Sequence, residues 1–177
     1  MTLTPARKLG LAVAAVVFAV DQLLKWLVTG PLALRQIGDT IELIPVFRLY
    51  RTNNIGVSLG FLEATTPAMR WGLVALTAAI ALTVLVWMLK ETKRADILPL
   101  GLVLGGALGN IVDRALYGYV IDYADLHFGE FRPFLIFNLA DAAITIGVLL
   151  ILARSFLSRE KRADNDAGAP ATESEHA

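Results

Sequence analysis

Apolar residues fall into four long blocks, separated by segments rich in polar residues and proline. The blocks cover about residues 9–28, 68–89, 97–116 and 139–156. Each comes close to the roughly 20 apolar residues that a helix needs to cross about 30 Å of hydrocarbon, so the pattern predicts four transmembrane helices. The first block follows Arg7 and Lys8 as a secretion signal would. It is too long for a cleavable leader, however, and Asp21 and Lys25 interrupt its second half, where a small-residue cleavage site belongs. It is expected to persist as a helix. The connector 31–67 is longer than a plain link requires. Within it Thr40-Ile-Glu-Leu-Ile44 alternates polar and apolar positions, Pro45 breaks the run, and Phe47-Arg-Leu-Tyr-Arg51 alternates again. A period of two predicts a small β element lying on the membrane face. The expected fold is therefore an all-α membrane protein, four transmembrane helices with a small extracytoplasmic β-sheet element.

The chain divides into a membrane domain over 1–158 and a tail over 159–177, whose Ala, Asp and Glu content predicts disorder. No internal repeat is evident, which leaves an inverted-repeat transporter without its usual signature.

Composition agrees with lipid as the solvent: of 177 residues, 56% are hydrophobic and only 18% charged. Charge placement adds an orientation. Arg7 and Lys8 precede the first block, Lys90, Lys93 and Arg94 join the second to the third, and Arg154, Arg159, Lys161 and Arg162 end or follow the fourth. The other two connectors are thinner in positive charge, with Arg35, Arg48 and Arg51 in one and Arg132 in the next. The positive-inside rule then puts both termini in the cytoplasm and the connectors 31–67 and 117–137 outside. A formal net charge of zero argues against a nucleic-acid partner. The chain has no cysteine, so thiol nucleophiles, disulfides and Cys-based metal sites are excluded. Its two histidines, His127 and His176, give a Ser-His-Asp triad or a His-rich metal site little to build on.

An ionisable residue inside a membrane costs about 2.5–3.5 kcal/mol on insertion scales, yet this chain keeps several. Asp21 and Lys25 are four apart in the first block, the spacing of an intrahelical ion pair. The third block ends Gly106-Ala-Leu-Gly-Asn110-Ile-Val-Asp113-Arg114, with Gly106, Asn110, Asp113 and Arg114 sharing one helical face. Gly101, Gly105 and Gly109 form small-xxx-small steps that let a neighbouring backbone approach. Asp113 and Arg114 can be a structural ion pair beside that seam. Next come Gly118-Tyr-Val-Ile-Asp122-Tyr-Ala-Asp125, then Phe137-Asn138-Leu-Ala-Asp141 at the start of the fourth block. Asn138 and Asp141 have the spacing of a helix cap. Asp122 and Asp141, at one membrane depth, can equally share a proton and activate water. Asp125, without a partner motif, is expected to be solvated. Asn53-Asn54-Ile-Gly56 reads locally as a turn.

Taken together, Asp21-Gln-Leu-Leu-Lys25, Asn54-Ile-Gly56, Gly109-Asn-Ile-Val-Asp113-Arg114, Val120-Ile-Asp122-Tyr and Phe137-Asn-Leu-Ala-Asp141 resemble the prolipoprotein signal peptidase (signal peptidase II) family, in its order and approximate spacing, over about residues 10–155. The resemblance implies a four-helix bundle with a small outer sheet, with Asp122 and Asp141 as a catalytic aspartate dyad. It further implies that Asn54, Asn110, Arg114 and Asn138 line the site, that Asp113 is structural, as the spacing already suggests for Asp21 and Lys25, and that no metal or other cofactor takes part. The implied substrate is a lipidated prolipoprotein, cut before its diacylglyceryl cysteine near the outer leaflet of a bacterial inner membrane, by a protein expected to work as a monomer amid membrane lipid. One departure stands out: Val57-Ser58-Leu59-Gly60 places Leu59 where the family usually has an aromatic residue. The rival from another class is a proton- or cation-coupled transporter, which also keeps intramembrane carboxylates. A third reading is an assembly subunit whose ion pairs only hold helices together.

Overall fold

The computed structural model describes residues 3–56 and 64–167. The departure at Leu59 lies outside them. Among the described residues four helices are long and apolar enough to cross a membrane: α1 (Pro5–Thr29), α2 (Pro67–Lys90), α3 (Arg94–Tyr117) and the first part of α4 (Leu139–Ala167). α1 and α2 start alike. Thr4 and Thr66 accept hydrogen bonds from Arg7 N and Met69 N, and a proline follows each cap, where a missing N–H costs nothing. α3 ends at Gly118 in the left-handed region (φ 87°), and the guanidinium of Arg70 covers its last turn, donating to the carbonyls of Arg114 at 2.8 Å and Ala115 at 2.5 Å. α4 continues as helix to Ala167, through the first part of the stretch expected to be disordered. That stretch is rich in Arg, Glu, Lys and Ala, which extend an existing helix at little cost.

α3 is the central helix and packs against the other three. Its glycines explain how. A Cβ on Gly105 would stand 2.5 Å from the Ala14 carbonyl of α1, and one on Gly106 would stand 2.5 Å from the Ala140 carbonyl of α4. Gly101 and Gly109 line the same α1 seam, against the Gly10 carbonyl and the Asp21 carboxylate. Without side chains the backbones come close enough for dispersion and short polar contacts, which drive association where lipid removes the hydrophobic effect between helices.

The predicted β element is present and larger than expected. Strands β1 (Thr40–Ile44), β2 (Phe47–Asn54) and β3 (Val120–Leu126) form an antiparallel sheet in the order β1-β2-β3. β3 was not anticipated within the connector 117–137, and it holds Asp122 in a strand where no β element was expected. Its side chains are buried on both faces, so it lacks the alternation that marks a strand. Pairing runs Arg48↔Asp125, Leu49↔Ala124 and then Thr52↔Asp122, so β2 spends one extra residue opposite Tyr123, as in a β-bulge. The sheet follows α1 and α3 and precedes α2 and α4, which places it at a single end of the bundle. Leu49, Ile121 and Tyr123 seat it on Val28 and Leu34 at the end of α1.

Candidate active site

Three helices and one strand deliver the polar residues to the sheet end of the bundle. α1 brings Asp21 and Lys25, α3 brings Asn110, Asp113 and Arg114, and α4 opens with Asn138 and Asp141. β3 adds Asp122, buried to 2% exposure. The backbone stitch that joins β3 to α4 lies at Phe137, whose carbonyl accepts from Tyr123 N (3.1 Å) and Ala124 N (2.7 Å) and whose N–H donates to the Ala124 carbonyl (3.1 Å). The next residue, Asn138, is thereby set against Asp122.

Asn138 and Asp141 do form the reciprocal cap that their spacing suggests. Asp141 N donates to Asn138 Oδ1 at 2.9 Å, and Asn138 N donates to Asp141 Oδ2 at 3.2 Å. The cap is also a bridge. Asn138 Nδ2 donates to Asp122 Oδ1 at 2.6 Å and contacts Asn110 Oδ1 at 3.3 Å, while Asn110 Nδ2 donates to Asp141 Oδ1 at 2.8 Å. Two asparagine amides therefore connect the two carboxyls. Burial, and next the negative charge of Asp141, push the Asp122 carboxyl up to about 7 from its usual 3.8, against the lowering effect of Asn54, Asn138 and Lys25. Asp122 can thus hold a proton near neutral pH.

Beneath this pair lies a second polar layer. Lys25 Nζ stands 2.8 Å from Asp21 Oδ2, as the four-residue spacing predicts, and also 2.9 Å from Asp113 Oδ2 and 3.2 Å from Asn110 Oδ1. The expected pairing of Asp113 with Arg114 is not formed. Adjacent helical residues point in different directions, and Asp113 instead takes Lys25 and accepts from Ile121 N of β3 at 3.1 Å. Arg114 turns the other way and donates to the Gly56 carbonyl at 2.6 Å, close to Asn54, whose Oδ1 accepts from Gly56 N at 3.1 Å. Asp21 also accepts from Ala140 N at 3.0 Å, fixing the first turn of α4 from below. Every site residue expected from the sequence thus belongs to one connected cluster.

Two groups escaped the sequence reading. Gln22 Nε2 lies 3.2 Å from Asp21, 3.1 Å from Asp113 and 3.3 Å from the Gly109 carbonyl, and a glutamine in an apolar run was the available signal. Asp125 was expected to be solvated, and it is fully buried instead. Arg48 Nε lies 2.7 Å from its Oδ2 and Arg132 Nε 3.4 Å from its Oδ1. Its position directly across from Arg48 in the sheet makes this a cross-strand charge pair. That relationship depends on a register no local pattern reveals.

Fold and site define a four-helix membrane protein with a paired-aspartate centre at one end of its bundle. The sequence profile described as signal peptidase (SPase) II matches residues 13–157, and the chain belongs to that family. Similar curated proteins include a lipoprotein signal peptidase from Sphingopyxis alaskensis, 52% identical over 93% of this chain and 94% of that one. Another from Rhizorhabdus wittichii is 51% identical over 88% and 90%. Among solved structures, a bacterial membrane enzyme determined in meso at 2.3 Å resolution superposes with a TM-score of 0.73 and 27% identity, covering 96% of this chain and 95% of that one.

Proposed function

We propose that the chain is an aspartic-type endopeptidase that removes signal peptides from diacylglyceryl-modified prolipoproteins, cutting before the lipidated cysteine. The family and the names of its relatives support lipoprotein signal peptidase activity. The observation that carries the chemistry is the asparagine bridge between Asp122 and Asp141, with its short 2.6 Å link to Asp122.

In this mechanism Asp141 is the ionised member. It lies in the first turn of α4, where helix amides favour a negative group, and it accepts from Asn110 and from Asn138 N. Asp122 holds the proton. Lys25 is already matched by Asp21 and Asp113, which leaves the single charge of Arg114 to face the pair, so a fully ionised dyad would carry one negative charge more than the site balances. Water gives a proton to Asp141 as its oxygen bonds the scissile carbonyl carbon, and Asp122 lends its proton to the carbonyl oxygen. When the C–N bond breaks, Asp141 passes its proton to the leaving nitrogen and Asp122 recovers its own. The products are the signal peptide with a new carboxyl group and the lipidated cysteine with a free amine. Arg114 and Asn54 would bind the substrate backbone. The acyl chains hold the bond at the leaflet surface, so that positioning supplies much of the rate. The positive-inside pattern puts this end of the bundle at the outer leaflet. The test is a gel-shift assay of a lipidated precursor with purified protein in detergent: wild type cleaves and Asp141→Asn does not. A wild-type protein that leaves the precursor intact would remove the proposal.

A further inference from the structure

The loop between β3 and α4 presents apolar side chains that the protein itself does not cover. Phe128, Phe131, Phe134 and Leu135 are 55%, 67%, 61% and 59% exposed. The backbone that carries them is firmly built. Phe128 and Phe131 exchange two backbone hydrogen bonds, at 2.8 and 3.2 Å, around a turn whose Gly129 takes φ 64°. Arg132 is tied to the buried Asp125, and Phe137 is stitched to β3. His127 N donates to the Val46 carbonyl at 3.0 Å and so ties the loop to the β1–β2 turn, next to which Leu43 and Ile44 are also exposed.

The rest of the molecule says what covers this face. At the same end of the bundle α1 closes with Trp26, α2 opens with Trp71 and α3 closes with Tyr117, all more than half exposed. Aromatic side chains at helix ends mark the layer between hydrocarbon and water. Phe134 and Leu135 lie only three or four residues before Asn138, the cap of α4, so they sit near that same layer. The apolar face therefore continues the lipid-facing perimeter of the helices outward beneath the sheet. Large apolar side chains left exposed together on one ordered loop mark an interaction surface, and aromatic residues flanking an arginine match an interface of acyl chain and phosphate.

We infer that residues 128–135, with Leu43 and Ile44, form a lipid-docking face seated in the interfacial layer of the leaflet on the sheet side. The rings lie among the upper acyl carbons and Arg132 lies at the phosphates. The Arg132–Asp125–Arg48 pairs then link the lipid surface to β3, three residues from Asp122. This face is independent of what the dyad cleaves.

The cysteine-free sequence makes the test direct. Single cysteines replacing Phe131 and Leu135 in the full chain are labelled with a nitroxide and reconstituted in phosphatidylethanolamine–phosphatidylglycerol vesicles, with Thr40→Cys on the edge strand as the water-facing reference. At both positions the label should meet oxygen in strong preference to a water-soluble nickel chelate, with an oxygen-to-nickel ratio several-fold above that of Thr40→Cys. The two positions report on the same face separately, so one poorly folding variant does not decide the matter. Nickel access equal to that at Thr40 overturns the inference. Exclusion of both reagents together with spin coupling between labelled copies also overturns it, since a second chain would then be the occupant.

Discussion

Asn138 touches both carboxyls of the dyad: its side-chain amide donates to Asp122 at 2.6 Å and its backbone N–H donates to Asp141 at 3.2 Å. The residue that begins α4 is therefore also the spacer that keeps the two acids in register. Serine caps a helix as well as asparagine does but is too short to bridge to Asp122. Asn138→Ser should cost about 1–3 kcal/mol of stability. It should lower kcat by roughly 10²-fold, the scale for losing one preorganised donor at a reacting group. Thermal unfolding and the lipidated-precursor assay measure the two effects separately. Wild-type turnover by this variant would make the Asp122 contact idle.

Asp122→Asn and Asp141→Asn should each abolish cleavage while the protein stays folded and membrane-inserted. An amide has nearly the shape of the carboxyl it replaces but cannot give or take the proton. Purified variants, assayed after their unfolding transitions are matched to wild type, provide the check. Appreciable turnover by either one removes that residue from the mechanism.

Asp125 is predicted to behave differently from Asp122, although both are buried in β3. Asp125→Asn weakens the 2.7 Å pair with Arg48 and the contact with Arg132. The cost should be on the order of 1–3 kcal/mol, as for hydrogen bonds to charged groups, seen as a fall of several degrees in Tm. Cleavage at a temperature where the variant is folded should remain within a few-fold of wild type. An inactive variant with the Tm of wild type would instead place Asp125 in the reaction.

What could be read from the chain and what could not follow from the range of the interactions. The four helices were legible because lipid leaves a blocked apolar pattern, and β1 and β2 were legible because each shows its alternation. Val120-Ile-Asp-Tyr-Ala-Asp-Leu126 shows none, since β3 is buried on both faces. The cap of Asn138 and Asp141 and the pair of Asp21 and Lys25 are local and visible as spacings. The choice of Asp113 for Lys25 over its neighbour Arg114 was not visible. Nor was the pairing of Asp125 with Arg48, because each depends on which helix or strand lies alongside. The reading of Asp122 and Asp141 as a dyad came from motif resemblance, and the Asn138–Asp141 spacing taken alone left capping and catalysis equally open.

Orientation is testable because the chain has no cysteine of its own. A cysteine at Gly38, in the connector before β1, should react with a membrane-impermeant thiol reagent added from outside intact cells. One at Thr92, between α2 and α3, should react only after lysis. The reverse pattern would turn the sheet end toward the cytoplasm and undo the proposed access to lipidated precursors.

The last prediction assigns the protons. Asp122 in the folded protein keeps a proton up to about pH 7, whereas an unperturbed carboxyl releases it near 3.8. Between these values the folded state binds more protons than the unfolded chain, so this residue contributes a loss of stability as pH rises from about 4 to about 7, and none beyond. Asp122→Asn has no such loss, so the Tm difference between variant and wild type should grow over that interval and then level off. In the proposed mechanism the same proton polarises the substrate carbonyl, so wild-type turnover should fall as pH rises through about 7. Because the two carboxyls feel one another, rate profiles report the pair, and a site-resolved probe must decide between them. Infrared difference spectra of the resting protein at pH 6 should show a protonated carboxyl band that disappears in Asp122→Asn and persists in Asp141→Asn. A band that survives the first change and is lost with the second would exchange the roles, making Asp122 the base and Asp141 the acid.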